Sequence, residues 1–174
     1  AATGSLEWQF DTNHSVWSTP AIANGRAYIG SMDHNVYAVD LSDGAFLWAF
    51  DTGGAVTAQP LVVDGRVYVG SFSTNFYAID AEGGNSVWEF KDSKNWYWSG
   101  AVASGGIVFA PSTDGNLYAL DSNSGQLRWL LETDSSILGS PTLIGERIAV
   151  ATTDGRVRLV KQQNGTDETM CNIE

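Results

Sequence analysis

Short apolar runs separated by polar turns recur along this chain at one fixed interval. Arg26-Ala27-Tyr28-Ile29-Gly30 returns as Arg66-Val67-Tyr68-Val69-Gly70. Val36-Tyr37-Ala38-Val39-Asp40 returns as Phe76-Tyr77-Ala78-Ile79-Asp80 and again as Leu117-Tyr118-Ala119-Leu120-Asp121. The runs are rich in Val, Ile, Tyr, Phe and Trp, which fit a pleated, half-buried surface, and turn dipeptides bound them. Asn24-Gly25 and Asp64-Gly65 supply the positive φ that a two-residue hairpin turn requires. Helical periodicity is absent throughout.

A glycine followed four residues on by tryptophan marks the interval: Gly4 and Trp8, Gly44 and Trp48, Gly84 and Trp88, Gly125 and Trp129. Aligned on these glycines the chain divides into repeats 4–43, 44–83, 84–124 and 125–164, with a remnant at 165–174. Each repeat passes through a polar loop and then an apolar run around proline, as at Pro20, Pro60 and Pro141. Four short antiparallel strands in about forty residues make one propeller blade. A single small sheet cannot bury both faces, so blades stack around an axis. The expected fold is an all-β propeller of four-stranded antiparallel blades, a single domain over 1–174.

The pattern Ala-x-Asp-x-x-x-Gly-x-x-x-Trp occurs intact as Ala38, Asp40, Gly44, Trp48; as Ala78, Asp80, Gly84, Trp88; and as Ala119, Asp121, Gly125, Trp129. It resembles the tryptophan-docking motif of the PQQ-like repeat family of β-propellers, and the resemblance covers nearly the whole chain. It implies blades mostly found in sevens or eights. It also implies relatives that include quinone-cofactor dehydrogenases, an outer-membrane assembly lipoprotein and sensor domains. A periplasmic or extracellular location is implied by the resemblance alone. The physics of the motif is independent of the name. Small Ala permits close approach of the neighbouring blade, Gly permits the turn into the outer strand, and the indole covers the gap. Trp8, Trp48, Trp88 and Trp129 are therefore expected to be packing residues rather than ligand platforms.

The fourth copy departs from the motif, with Leu159, Lys161, Gly165 and Thr169 where Ala, Asp, Gly and Trp should fall. Its outermost strand, Thr166 to Met170, is polar, while the N-terminus supplies a tryptophan-bearing strand with no blade of its own. Trp8 is thus expected to complete the fourth blade. Three arrangements fit the four repeats. They are half of an eight-bladed ring closed by homodimerisation, a four-bladed monomer with wide wedges, or part of a longer propeller.

Charge narrows the partners. Twenty Asp and Glu against nine Lys and Arg leave a net charge of −11, which phosphate backbones would repel, so nucleic acid is excluded. No apolar run approaches the ~18 residues of a membrane span, and the N-terminus lacks the basic-then-apolar build of a signal peptide. The single Cys171 excludes an intrachain disulfide.

Candidate chemistry belongs on the top-face loops, which carry His14, Trp17, Met32, Asp33 and His34 from the first blade, and Phe72 from the second. Trp96, Trp98 and Asp114 come from the third, and Asp154 from the fourth. His14, Asp33 and His34 could form a metal site, though solvated loop histidines are the simpler expectation, and Asp114-Gly115 and Asp154-Gly155 are expected to be turns. Lys91 to Trp98 is the least repeat-like segment, with one inserted residue and three consecutive aromatics. Trp96 is expected to be exposed or pocket-lining. Trp98 aligns with Trp17, Thr57 and Leu138 at an inner-strand position, where burial is expected. In a dimeric ring Trp17 and Trp98 would each appear twice around one channel mouth, a platform for a peptide or small ligand. Catalytic, cofactor-binding and metal residues are expected to be none. The family's quinone dehydrogenases hold their cofactor with a vicinal disulfide, a metal and a catalytic Asp, which cannot be matched here residue by residue. The expected function is a non-catalytic scaffold or binding module for a protein or small ligand. The alternatives are a relative of the quinone-dependent dehydrogenases, or an amplified-repeat half-propeller with no dedicated site.

Overall fold

The computed structural model describes residues 4–167, and among these it contains strands and no helix. The first sheet is β1 (Ala21–Ala23), β2 (Arg26–Gly30), β3 (Asn35–Asp40) and β4 (Phe46–Asp51). The second is β5 (Leu61–Val63), β6 (Arg66–Gly70), β7 (Phe76–Asp80) and β8 (Ser86–Phe90). The third is β9 (Val102–Ser104), β10 (Ile107–Pro111), β11 (Asn116–Asp121) and β12 (Leu127–Glu132). Among the described residues the fourth has three strands, β13 (Thr142–Ile144), β14 (Arg147–Ala151) and β15 (Val157–Lys161). Each strand pairs antiparallel with its sequence neighbour, so every sheet is a meander, and the fold is the all-β propeller that the repeat pattern predicts.

Local chemistry sets these boundaries. The β1–β2 and β5–β6 hairpins turn on Asn24-Gly25 and Asp64-Gly65, and all four residues hold positive φ, between 50° and 73°, the geometry of the type I′ turn. The outer strand joins with a register shift after Ala38, Ala78 and Ala119, which lie opposite Trp48, Trp88 and Trp129. Such a bulge twists the outer strand and aims the indole out of its own sheet.

The indole lands on the next blade. Trp48 Nε1 donates to the Ala81 carbonyl at 3.2 Å, Trp88 to Ser122 at 3.0 Å and Trp129 to Gln162 at 2.9 Å. A Cβ on Gly84 would lie 2.6 Å from the Trp48 ring, and one on Gly125 2.7 Å from Trp88, so only glycine fits beneath each indole. The glycine and tryptophan four residues apart are therefore not partners of one another. Gly44 carries Trp8, Gly84 carries Trp48, Gly125 carries Trp88 and Gly165 carries Trp129. Burial of about 150–250 Å² at about 25 cal/mol per Å² makes each docked ring worth roughly 4–6 kcal/mol before entropy.

Three apolar clusters fill the three gaps between the four blades. The first joins Tyr28, Val36, Ala38 and Trp48 to Val56, Val67, Val69, Tyr77 and Ile79. The second joins Tyr68, Phe76, Ala78, Trp88 and Phe90 to Tyr97, Val108, Tyr118 and Leu120. The third joins Phe109, Leu117, Ala119 and Leu131 to Ile137, Ile148, Val150 and Val160.

A sheet is offset from a repeat by one strand. The glycine-to-tryptophan strand that begins each repeat in sequence is the outermost strand of the preceding sheet. The N-terminal segment obeys the same rule. Trp8 Nε1 donates to the Leu41 carbonyl at 2.9 Å, and Phe10 meets Tyr37 edge-on at 5.4 Å, as Phe50 meets Tyr77 at 5.3 Å. Yet residues 4–10 belong to no strand. At the other end β15 meets the chain's own following segment, the Lys161 amide donating to the Thr166 carbonyl at 3.0 Å, Val160 bridging to Asp167 and Arg158 pairing with Asp167 at 3.4 Å. Thr169, where the motif lacks its tryptophan, and Cys171 lie outside the described residues.

Candidate functional site

The loops at the top of the blades are held by a repeated carboxylate clamp. Asp33 Oδ2 accepts from the Asn13 amide at 2.9 Å and from the Tyr37 hydroxyl at 2.8 Å, while Oδ1 accepts from the Asn35 amide at 3.1 Å. Asp114 repeats the arrangement, accepting from the Lys94 amide at 2.9 Å, the Tyr118 hydroxyl at 2.7 Å and the Asn116 amide at 3.0 Å. Burial pushes both carboxyls up, but the combined hydrogen bonds outweigh it and hold them below the ordinary carboxylate value. Burial, then the adjacent carboxylate, pushes the Tyr37 and Tyr118 phenols up to about 12. Asp154 is engaged by the Thr152 hydroxyl at 2.5 Å and by Arg156 at 3.1 Å.

The candidate metal residues of the first blade are employed in the same way. His14 Nδ1 accepts from the Ser15 amide at 2.8 Å. His34 adopts φ 77°, and its carbonyl receives the Thr52 amide at 2.9 Å and the Thr52 hydroxyl at 2.8 Å. Asp33 spends its oxygens on the loop. Among the described residues no group of three His, Cys, Asp or Glu comes together to hold a metal.

The aromatic residues are arranged differently. Phe72 stacks on Trp96 with ring centroids 4.7 Å apart and on Trp98 with centroids 5.5 Å apart, the ring planes inclined by 13° and 24°. Both tryptophans are exposed, and so is Trp17 in the first blade. The exposure of Trp98 reverses the burial expected from its inner-strand alignment. Side chains alternate along an extended segment, and Tyr97 between them takes the buried place, packed against Phe76 at 5.2 Å over a Gly70 that leaves no room for a Cβ. Burial pushes the Tyr97 phenol well above its ordinary value.

Trp96 holds its loop through the backbone alone. Its carbonyl accepts the Thr113 amide at 2.9 Å, the same link that Ser15 makes to Met32, Ala55 to Phe72 and Ser136 to Thr153. Serine and alanine do this job in the other blades, so the fold does not call for an indole at this position. The stacking partner Phe72 stood on the top face in sequence, but nothing there joined it to Trp96. Its signal was that the same loop position carries Met32, Thr113 and Thr153 in the other blades.

The family described as outer membrane protein assembly factor BamB matches residues 1–97 and again residues 75–168. The chain belongs to this family, whose blades are PQQ-like repeats. BamB from Moraxella catarrhalis superposes with a TM-score of 0.83 at 22% identity, over 94% of this chain and 52% of that one. A quinohemoprotein alcohol dehydrogenase from Pseudomonas putida superposes with a TM-score of 0.78 at 18% identity, over 94% of this chain and 35% of that one. The computationally designed Ika4 protein gives a TM-score of 0.77 at 16% identity, over 91% of this chain and 99% of that one. This BamB-family chain thus spans about half the length of BamB itself. No curated protein sequence matches it significantly. No helix of the described residues is long and apolar enough to cross a membrane.

Proposed function

We propose that this chain is a non-catalytic propeller scaffold that binds a protein or small ligand through the exposed aromatic cluster of Phe72, Trp96 and Trp98, with Trp17 on the same face. One observation carries the reading: Trp96 is structurally dispensable by the standard of its own repeats, yet presents an indole, stacked and open to solvent, beside two more aromatic rings. Exposed apolar surface of this kind is characteristic of binding sites. An assembly role like that in the name of the matched family fits such a surface. The tests are capture from a source lysate on the immobilised chain and the same capture on Trp96→Ala. The reading expects a stoichiometric partner that is lost in the variant, with an unfolding midpoint unchanged. Equal capture by both proteins would move the binding surface away from Trp96, and capture by neither would leave a scaffold without a dedicated site.

The similarity to a quinohemoprotein dehydrogenase raises a second reading, catalysis with a bound quinone and its metal. The residues present do not fit that group. The top-face carboxylates Asp33 and Asp114 have their oxygens committed to loop amides and tyrosine hydroxyls. Pyrroloquinoline quinone added with calcium should leave tryptophan fluorescence unquenched. Saturable quenching accompanied by alcohol oxidation would establish the dehydrogenase reading instead.

A further inference from the structure

We infer that the cluster of Phe72, Trp96 and Trp98 takes a proline-rich segment of a partner protein in its extended polyproline II form, an assignment of occupant that rests on the binding reading above.

The ring nitrogens separate this cluster from the packing tryptophans. Trp8, Trp48, Trp88 and Trp129 each donate Nε1–H to a carbonyl of the blade they dock on, at 2.9 to 3.2 Å. Among the described residues the other three, Trp17, Trp96 and Trp98, are exposed and donate their ring N–H to no protein acceptor. The backbone acceptors of the cluster are already spent. The Trp96 carbonyl accepts from the Thr113 amide at 2.9 Å and its hydroxyl at 3.0 Å, and the Trp98 carbonyl accepts from the Thr57 hydroxyl at 3.1 Å. Flat rings with free donors and occupied carbonyls face solvent together.

A run of prolines has the reverse inventory. Proline carries no N–H, and the polyproline II helix makes no internal hydrogen bond, so its carbonyls are left to accept. Its backbone is preformed, which lowers the entropy lost on docking against aromatic side chains. A glycan would bring hydroxyl donors as well, for which the spent carbonyls offer no partner.

Spacing and charge agree with that occupant. Both indoles stack on Phe72, at 4.7 and 5.5 Å, so their centroids are separated by no more than those two distances laid end to end. One turn of polyproline II advances about 9 Å, inside that limit, and presents every third residue on one side. Loop 71–75 has no charged residue, and over 89–98 Glu89 and Asp92 balance Lys91 and Lys94. The patch is neutral on a chain of net charge −11, which suits an uncharged segment better than an arginine-rich one drawn to the ring faces. The cluster bridges the second and third blades, each of which packs against a further blade on its other side.

The experiment titrates the 174-residue chain with an oligoproline of about ten residues, roughly three turns, read by tryptophan fluorescence and calorimetry. Saturable binding with blue-shifted emission is expected. Trp96→Ala should weaken it about thirtyfold or more. Trp96→Phe keeps a ring to stack on but loses the donor, and should weaken it about three- to tenfold. Both variants should keep the native unfolding midpoint. Binding unchanged in Trp96→Ala overturns the inference, and so does Trp96→Phe binding as tightly as the native chain, because stacking alone then suffices. Absence of saturation at millimolar peptide overturns it too, and the lysate capture then shows what else falls. A partner still lost in Trp96→Ala keeps the aromatic surface and removes only the proline chemistry, whereas capture by neither protein removes both. A glucan oligomer or an arginine-rich peptide that binds through Trp96 where oligoproline does not also overturns it and reassigns the occupant.

Discussion

The first two gaps between blades and the third are filled by the same kinds of strand, but they are fastened differently. In the first gap the Ala81 carbonyl receives Arg26 at 2.8 Å, Tyr28 at 3.1 Å and Trp48 at 3.2 Å. In the second the Ser122 carbonyl receives Arg66 at 2.5 Å, Tyr68 at 3.1 Å and Trp88 at 3.0 Å. In the third, Ile107 replaces the arginine and Phe109 the tyrosine, and Trp129 donates to Gln162 at 2.9 Å in their absence. The polar clasp is thus separable from the docked ring. Area buried under the indole, not the number of donors on one carbonyl, is what every gap has in common.

Truncating the rings tests that division most severely. Trp88→Ala should cost about 3–5 kcal/mol in urea unfolding, because a ring buried against Gly125 is lost. Trp129→Ala should cost less, about 2 kcal/mol, because Trp129 is only half buried. The opposite order would mean that the clasp, redundant in the second gap and absent from the third, governs the gap instead.

The carboxylate clamp offers a smaller contrast, read by pH. The folded-state pKa of Asp114 is depressed, so its stabilisation is complete above the unfolded carboxylate value, near 3.9, and is lost as pH falls through the folded value. Asp114→Asn should remove that acid limb and cost about 1 kcal/mol at neutral pH. The second blade, with Ser73 at the equivalent position, has no such limb to lose, so Ser73→Ala should leave the acid dependence unchanged. The smallest effect is a gain. Phe109→Tyr restores to the third gap the hydroxyl of Tyr28 and Tyr68, and should raise stability by about 0.5–1 kcal/mol if Gln162 accepts it.

The fold was legible because its signals are local and repeated. Asn-Gly and Asp-Gly turns, apolar runs and the motif at Gly44, Gly84 and Gly125 all point to the same four-stranded unit. What periodicity could not convey was partnership across the gap. Gly44 and Trp48 are close in the motif, but each docks with a residue 36 positions away, Trp8 and Gly84, so the motif reads as one unit while its contacts belong to two. The candidate site was legible only in part. Asp33 stood out as a candidate metal ligand beside His14 and His34, and in the structure it clamps its loop as Asp114 does. Trp98 was expected inside by alignment, but the buried place is that of Tyr97, matched by the buried Val56 and Ile137 in other blades. Stacking with Phe72 depends on tertiary proximity between two blades, which no local pattern encodes.

The docking of each tryptophan on the glycine of the following blade has a mechanical consequence. The strands of each sheet are consecutive, so the covalent chain crosses a gap between blades once, from one outer strand to the next inner strand. A blade separates from its neighbour only when that indole leaves its glycine. Pulled from its ends, the chain should yield in steps that each pair the peeling of one outer strand with the uncapping of one glycine, releasing roughly 140 Å of contour for about forty residues.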